Sequence, residues 1–148
     1  MFKHIMVATD GSKLSDQAVD AAIGLARQHG AKLTAFHATQ DYPIVPFAEY
    51  ATVAGSLSPV SWKADQEKRA RRILDKVEAK ASKAGVAIDT HFSEAAHPYE
   101  AILKTAKKAR CDLIVMASHG RRGLQGIVLG SETNKVLTHS KLPVLVYR

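Results

Sequence analysis

Apolar positions along this chain follow two alternating rhythms, and their alternation predicts the fold class. Ile5-Met6-Val7-Ala8-Thr9 is a short apolar stretch that reads as a buried strand. Ser12 then stands where a helix N-cap belongs. Leu14, Ala18, Ala21, Ala22 and Leu25 follow at helical spacing, and Gly30 closes the helix. Ala31 to Ala38 supplies a second strand, with Leu33, Ala35 and His37 on one face. A long amphipathic helix is predicted from about Val60 to Ala84, with Ile73, Leu74 and Val77 inward and Gly85 as its stop. Val86 to Phe92 alternates at period two, the pattern of a strand with one buried face, and suits a sheet edge. Pro98 fits the first turn of a helix whose apolar stripe is Tyr99, Ile102, Leu103 and Ala106. A strand over 112–117, a glycine-bearing loop, a helix from Ser131 and a last strand, Val144 to Tyr147, complete the chain. Pro143 opens that last strand, as suits an edge position.

Five strands separated by helices predict an α/β fold, an open five-stranded parallel sheet with helices on both faces. The length of 148 residues fits one domain covering 1–148. Sheets of this kind bind ligands beyond the carboxyl ends of their strands, at the topological switch point. Ala8, Thr9 and Asp10 end the first strand, and Ser118 to Gly120 follow the fourth, so both groups can meet at one crevice. The segment from Thr39 to Pro59 has no clear period and is long for a connection inside a compact domain. A lid, a binding loop, a cover for a partner subunit and a partly disordered loop are all open readings.

The chemistry concentrates after the fourth strand. Leu113-Ile114-Val115-Met116 leads into Ala117-Ser118-His119-Gly120, then nine residues, then Gly130-Ser131 at a helix start. Glycine lets backbone N–H groups approach an anion, and a helix start adds orphan donors and a positive dipole end. The arrangement therefore points to phosphate, against the plainer reading of a loop that only needs tight turns. Two better-known phosphate motifs do not fit. A P-loop needs a lysine before the Ser or Thr, and Gly126 to Ser131 has none. A dinucleotide fingerprint belongs straight after the first strand, where Thr9-Asp10-Gly11-Ser12 stands instead.

Charge and composition narrow the remaining classes. The net charge of +7 invites nucleic acid, but the basic residues between Lys63 and Lys83 are mixed with Asp65, Glu67, Asp75 and Glu78, the pattern of a solvated helix face. Lys104, Lys107, Lys108 and Arg110 sit near a helix C-terminus, where cations suit the dipole, and no aromatic interleaving suggests base stacking. No apolar run approaches the roughly 20 residues of a membrane span. The N-terminus reads as a strand rather than a signal peptide, and the single Cys111 suits a reducing cytoplasm. Seven scattered histidines show neither H-E-x-x-H nor paired-cysteine spacing, so no metal site is expected.

The chain resembles the universal stress protein family along its whole length, from Val7-Ala8-Thr9-Asp10-Gly11-Ser12 to Leu142-Pro143-Val144-Leu145-Val146. The family's ATP-binding branch carries Gly, two residues, Gly, nine residues, Gly, then Ser or Thr. Gly120, Gly130 and Ser131 match at that spacing, and the first glycine is Ala117 here. The resemblance implies an adenine nucleotide alpha hydrolase-like sheet of order 3-2-1-4-5. It further implies a homodimer made through the last strand, and ATP lying across the carboxyl ends of strands one and four.

On that basis Asp10 is placed to accept from ribose hydroxyls or to support a phosphate-bound Mg²⁺, with a turn or cap role as its plainer alternative. The backbone of Ala38 resembles the position that reads the adenine edge. Met116 flanks the base or is an ordinary core methionine. Ala117, Ser118, His119, Gly120 and Arg121 line the phosphates, while Gly130, Ser131, Glu132 and Thr133 offer backbone and hydroxyl donors. The Glu132 carboxylate, which would repel phosphate, is expected to face solvent and serve the helix dipole. The leading functional expectation is a dimeric ATP-binding stress or signalling module with little or no turnover. A slow ATP hydrolase is one competitor. An ATP-free dimer working by protein contact is the other, and Ala117 keeps it in play.

Overall fold

A computed structural model describes residues 1–42, 58–120 and 129–148. Residues 43–57, most of the long connection, lie outside the described residues, as do Arg121, Gly123 and Gly126. The elements are β1 (His4–Ala8), α1 (Lys13–His29), β2 (Lys32–Thr39), α2 (Pro59–Lys83), β3 (Ile88–Glu94), α3 (Pro98–Lys108), β4 (Leu113–Ala117), α4 (Ser131–His139) and β5 (Val144–Tyr147). All neighbouring strands pair in parallel, in the order β3-β2-β1-β4-β5. The chain therefore builds outward from β1 to β3, then returns to lay β4 on the other side of β1. That reversal is the switch point at which the crevice was expected.

Side-chain alternation along the central strands separates two cores. Ile5, Val7, Leu33, Ala35, Leu113, Val115 and Ala117 face α1 and α2 with Ala18, Val19, Ala22, Leu74 and Val77. Met6, Phe36, Ile114 and Met116 face α3 and α4 with Ile102, Ala106 and Val136. The buried stripe of α1 is Ser15, Ala18, Val19, Ala22, Ile23 and Ala26, with Leu14 and Leu25 packed at its margin. Of the stripe read from Leu14, Ala18, Ala21, Ala22 and Leu25, Ala18 and Ala22 are buried, and the leucines lie at its margin. Small residues let α1 lie close on the sheet, so the larger leucines fall to the flanks.

Charges on α2 do more than solvate it. The Lys80 ammonium reaches Asp16 at 2.9 Å and Asp20 at 2.8 Å, both on α1. Arg71 lies over the Phe92 ring of β3, 5.5 Å from its centroid. Among the described residues no helix is long and apolar enough to cross a membrane.

Candidate nucleotide site at the switch point

The register aligns three strand ends. Ala8 pairs with Phe36 on β2 and with Met116 on β4. Two residues further along, Ala38, Asp10 and Ser118 therefore stand at one level across the sheet.

The β1–α1 turn is fixed by hydrogen bonds between near neighbours. Thr9 Oγ1 lies 3.0 Å from Ser15 Oγ and accepts from Gly11 N at 3.2 Å. Asp10 Oδ1 accepts from Ser12 N at 3.0 Å, and Ser12 Oγ in turn caps α1 by accepting from Ser15 N at 3.2 Å. Gly11 has φ +76, and a Cβ there would meet Ile73 Cδ1 of α2 at 2.9 Å. Only glycine meets both demands.

The β4 end closes on this turn. A Cβ at Gly120 would stand 2.5 Å from Asp10 Oδ2, so the two halves of the motif touch. Gly130 N donates to Ser118 O at 2.7 Å, and a Cβ at Gly130 would press on His119 Cα at 3.2 Å and Ser118 O at 3.3 Å. A side chain at Gly120 would displace the Asp10 carboxylate, and one at Gly130 would crowd the backbone of Ser118 and His119. The same packing brings the start of α4 against the end of β4.

Ser118 is buried and its polar atoms are engaged. Its N–H donates to Tyr147 O at 2.7 Å, and its hydroxyl lies 3.2 Å from His119 Nδ1. Ser118 orients the His119 ring, while His119 is half-buried and Gly120 and Ser131 are exposed.

Several expected ligand residues make scaffold contacts. Met116 is 6% exposed and packs in the core with Ile114 and Val136, the plainer of its two readings. Thr133, among the residues expected to offer backbone and hydroxyl donors, is buried, and its hydroxyl donates to Ala117 O at 2.9 Å. Glu132 was expected to face solvent. Its carboxylate accepts from Tyr99 N at 2.9 Å and from Lys135 Nζ at 3.0 Å. It caps α3, whose own N-cap residue His97 makes no side-chain cap bond, and this draws the negative charge away from the start of α4. Ala117 places its methyl in the core under α1, with Val7, Val115 and Leu145, and not in the crevice.

One participant carried no motif signal. His37, 3% exposed, donates from Nδ1 to Thr9 O at 2.7 Å. Burial, foremost, lowers its pKa below the ordinary 6.5, with Arg69 acting the same way against the raising effect of the Thr9 bond and Asp10. The buried thiol of Cys111 is pushed up to about 11, chiefly by desolvation, and is no nucleophile. Among the described residues no group of three or more His, Cys, Asp or Glu is placed to hold a metal ion.

This end of the sheet offers a carboxylate after β1, Gly120 in contact with it, and the N-terminus of a nine-residue helix whose N-cap, Gly130, has no side chain to occupy its donors. That combination suits a ligand carrying both hydroxyls and an anion.

Comparison with known proteins agrees with this architecture. A family model described as the universal stress protein family matches residues 1–148. Universal stress protein YxiE of Bacillus subtilis is 32% identical over 157 residues, spanning 100% of both chains. The structure of universal stress protein UspA from Lactobacillus plantarum superposes with a TM-score of 0.80 at 24% identity, covering 99% of this chain and 97% of that one. A universal stress protein crystallised in complex with cAMP superposes with a TM-score of 0.72 at 28% identity, covering 99% and 97%. Sequence, sheet order and the crevice at the switch point agree: this chain belongs to the universal stress protein family.

Proposed function

We propose that this chain is an ATP-binding stress-response or signalling module whose output is the bound state and not turnover. The observation that carries this reading is the close approach of Gly120 to Asp10, with Gly130 at the start of α4 packed on the neighbouring Ser118 and His119. In this reading Asp10 accepts from ribose hydroxyls, the backbone at Ala38 reads the adenine edge, and N–H groups of the Gly120 loop and of Ser131 hold phosphates. Arg121 adds a cation to the same phosphates. Mg²⁺ travels with the triphosphate, with Asp10 in a supporting role. The cAMP complex of a similar protein supports an adenine nucleotide as the ligand class. The loss of the first motif glycine is compatible with binding, because the Ala117 methyl lies on the core side of β4. The module acts as a cytoplasmic homodimer paired through β5.

Calorimetry with Mg-ATP on ligand-free protein tests the reading. A dissociation constant in the micromolar range, about −8 kcal/mol, is expected. Gly130→Val abolishes binding, since even its Cβ crowds His119 Cα and Ser118 O. Indifference of the wild type to millimolar ATP refutes the reading in favour of an ATP-free interaction module.

A further inference from the structure

His37 is the buried titratable side chain to which the nucleotide reading gives no role. It lies near the carboxyl end of β2, and its Nδ1 stands 2.7 Å from Thr9 O. A carbonyl oxygen only accepts, so Nδ1 carries the proton and donates. The oxygen belongs to the peptide unit that joins Thr9 to Asp10, and that unit is planar. Holding the oxygen therefore sets the direction from which the chain enters Asp10.

Since β1 ends at Ala8, this peptide lies beyond the strand itself. Thr9 N donates to Phe36 O at 3.0 Å, and Thr9 Oγ1 is engaged with Ser15 Oγ. His37 supplies the remaining anchor, at the carbonyl. Without it a buried carbonyl is left to find another donor, and the peptide loses one of the bonds that fix its orientation. Asp10 cannot rotate without consequence, because its Oδ2 lies against Gly120. The charged groups acting on the ring are Asp10, from the β1–α1 turn, and Arg69, from α2.

We propose that His37 is a positioning residue of the crevice: by donating to the Thr9 carbonyl it aims the Asp10 carboxylate at sugar hydroxyls, and so sets a preference for ribonucleotides over nucleotides lacking those hydroxyls. This rests on the nucleotide reading of the site. It assigns His37 a specificity role that reaches the ligand only through Asp10.

The test compares ATP with 2′,3′-dideoxy-ATP by calorimetry on wild type, His37→Leu and His37→Asn. Wild type is expected to favour ATP by about tenfold, the order of one hydrogen bond to a charged group. His37→Leu loses that factor for ATP while binding the dideoxy compound as before, so the preference collapses. His37→Asn keeps the preference, because its amide places a donor where Nδ1 stood. General damage to the fold lowers both affinities together and leaves their ratio intact. Should His37→Leu fail to fold, His37→Gln, whose amide reaches the Nε2 position instead, is expected to lose the preference in its place. Unchanged preference in His37→Leu or His37→Gln overturns the proposal while leaving nucleotide binding standing, as does a wild type that binds both ligands equally. A wild type that binds neither overturns both readings.

Discussion

Replacing Thr133 by valine exchanges one hydroxyl for one methyl of similar size, and the structure says where the loss falls. Thr133 Oγ1 donates to Ala117 O at 2.9 Å, with Thr133 3% exposed. The variant leaves that buried carbonyl without its side-chain partner at the end of β4, a loss of about 1–3 kcal/mol. The methyl fills the space of the hydroxyl, so little cavity cost is added. For 148 residues the unfolding entropy is about 0.3 kcal/mol per kelvin, so a 2 kcal/mol loss lowers Tm by about 6 °C. Urea unfolding followed by circular dichroism measures the loss, with Thr133→Ser as the control that retains the donor. A hydroxyl aimed at phosphate gives the opposite pattern, in which stability is unchanged or improved and ATP affinity falls. That result, or a stability change under about 0.5 kcal/mol, refutes the bond to Ala117 as the function of this side chain.

Two further outcomes follow from groups away from the phosphate loop. His37 and His4 both titrate below the ordinary 6.5, each chiefly through burial. Unfolded chains take up these protons first, so stability falls as pH drops from 6.5 towards the folded-state values; a urea midpoint no lower at about pH 5.5 than at about pH 7.5 contradicts this. Val144 to Tyr147 are only half-buried on an edge strand, so Val146→Lys is expected to shift a β5-paired dimer towards monomer; a wild type that sediments at 16.0 kDa at micromolar concentration refutes the dimer.

Much of the scaffold was legible because its signals are local. Runs such as Ile5 to Ala8 and Leu113 to Ala117 are buried on both faces and read as unbroken apolar stretches, and Val86 to Phe92 alternates because β3 is an edge. Spacing alone does not distinguish one order of parallel strands from another, and the order 3-2-1-4-5 came from the family resemblance. The glycines and Asp10 were legible as a crevice, but the work of their neighbours was not. Thr133 bonds a carbonyl 16 residues away, Glu132 a backbone amide 33 away, and His37 a carbonyl 28 away. Contacts at such separations leave no periodic trace, and a hydroxyl or carboxylate beside a phosphate motif looks the same whether it faces ligand or scaffold.

The three small residues of the motif are under different constraints. At Gly120 and Gly130 a single added carbon collides with a carboxylate or with backbone, whereas at Ala117 the side chain already points into the packing under α1. As a diagnostic pattern, the motif is therefore two closely packed glycines preceded by a position graded by core volume. A search that demands glycine at all three rejects chains like this one on the position that matters least to the crevice. A search that asks for Asp at the end of the first strand together with the last two glycines keeps them, because Gly120 packs on Asp10 and Gly130 on the neighbouring Ser118 and His119.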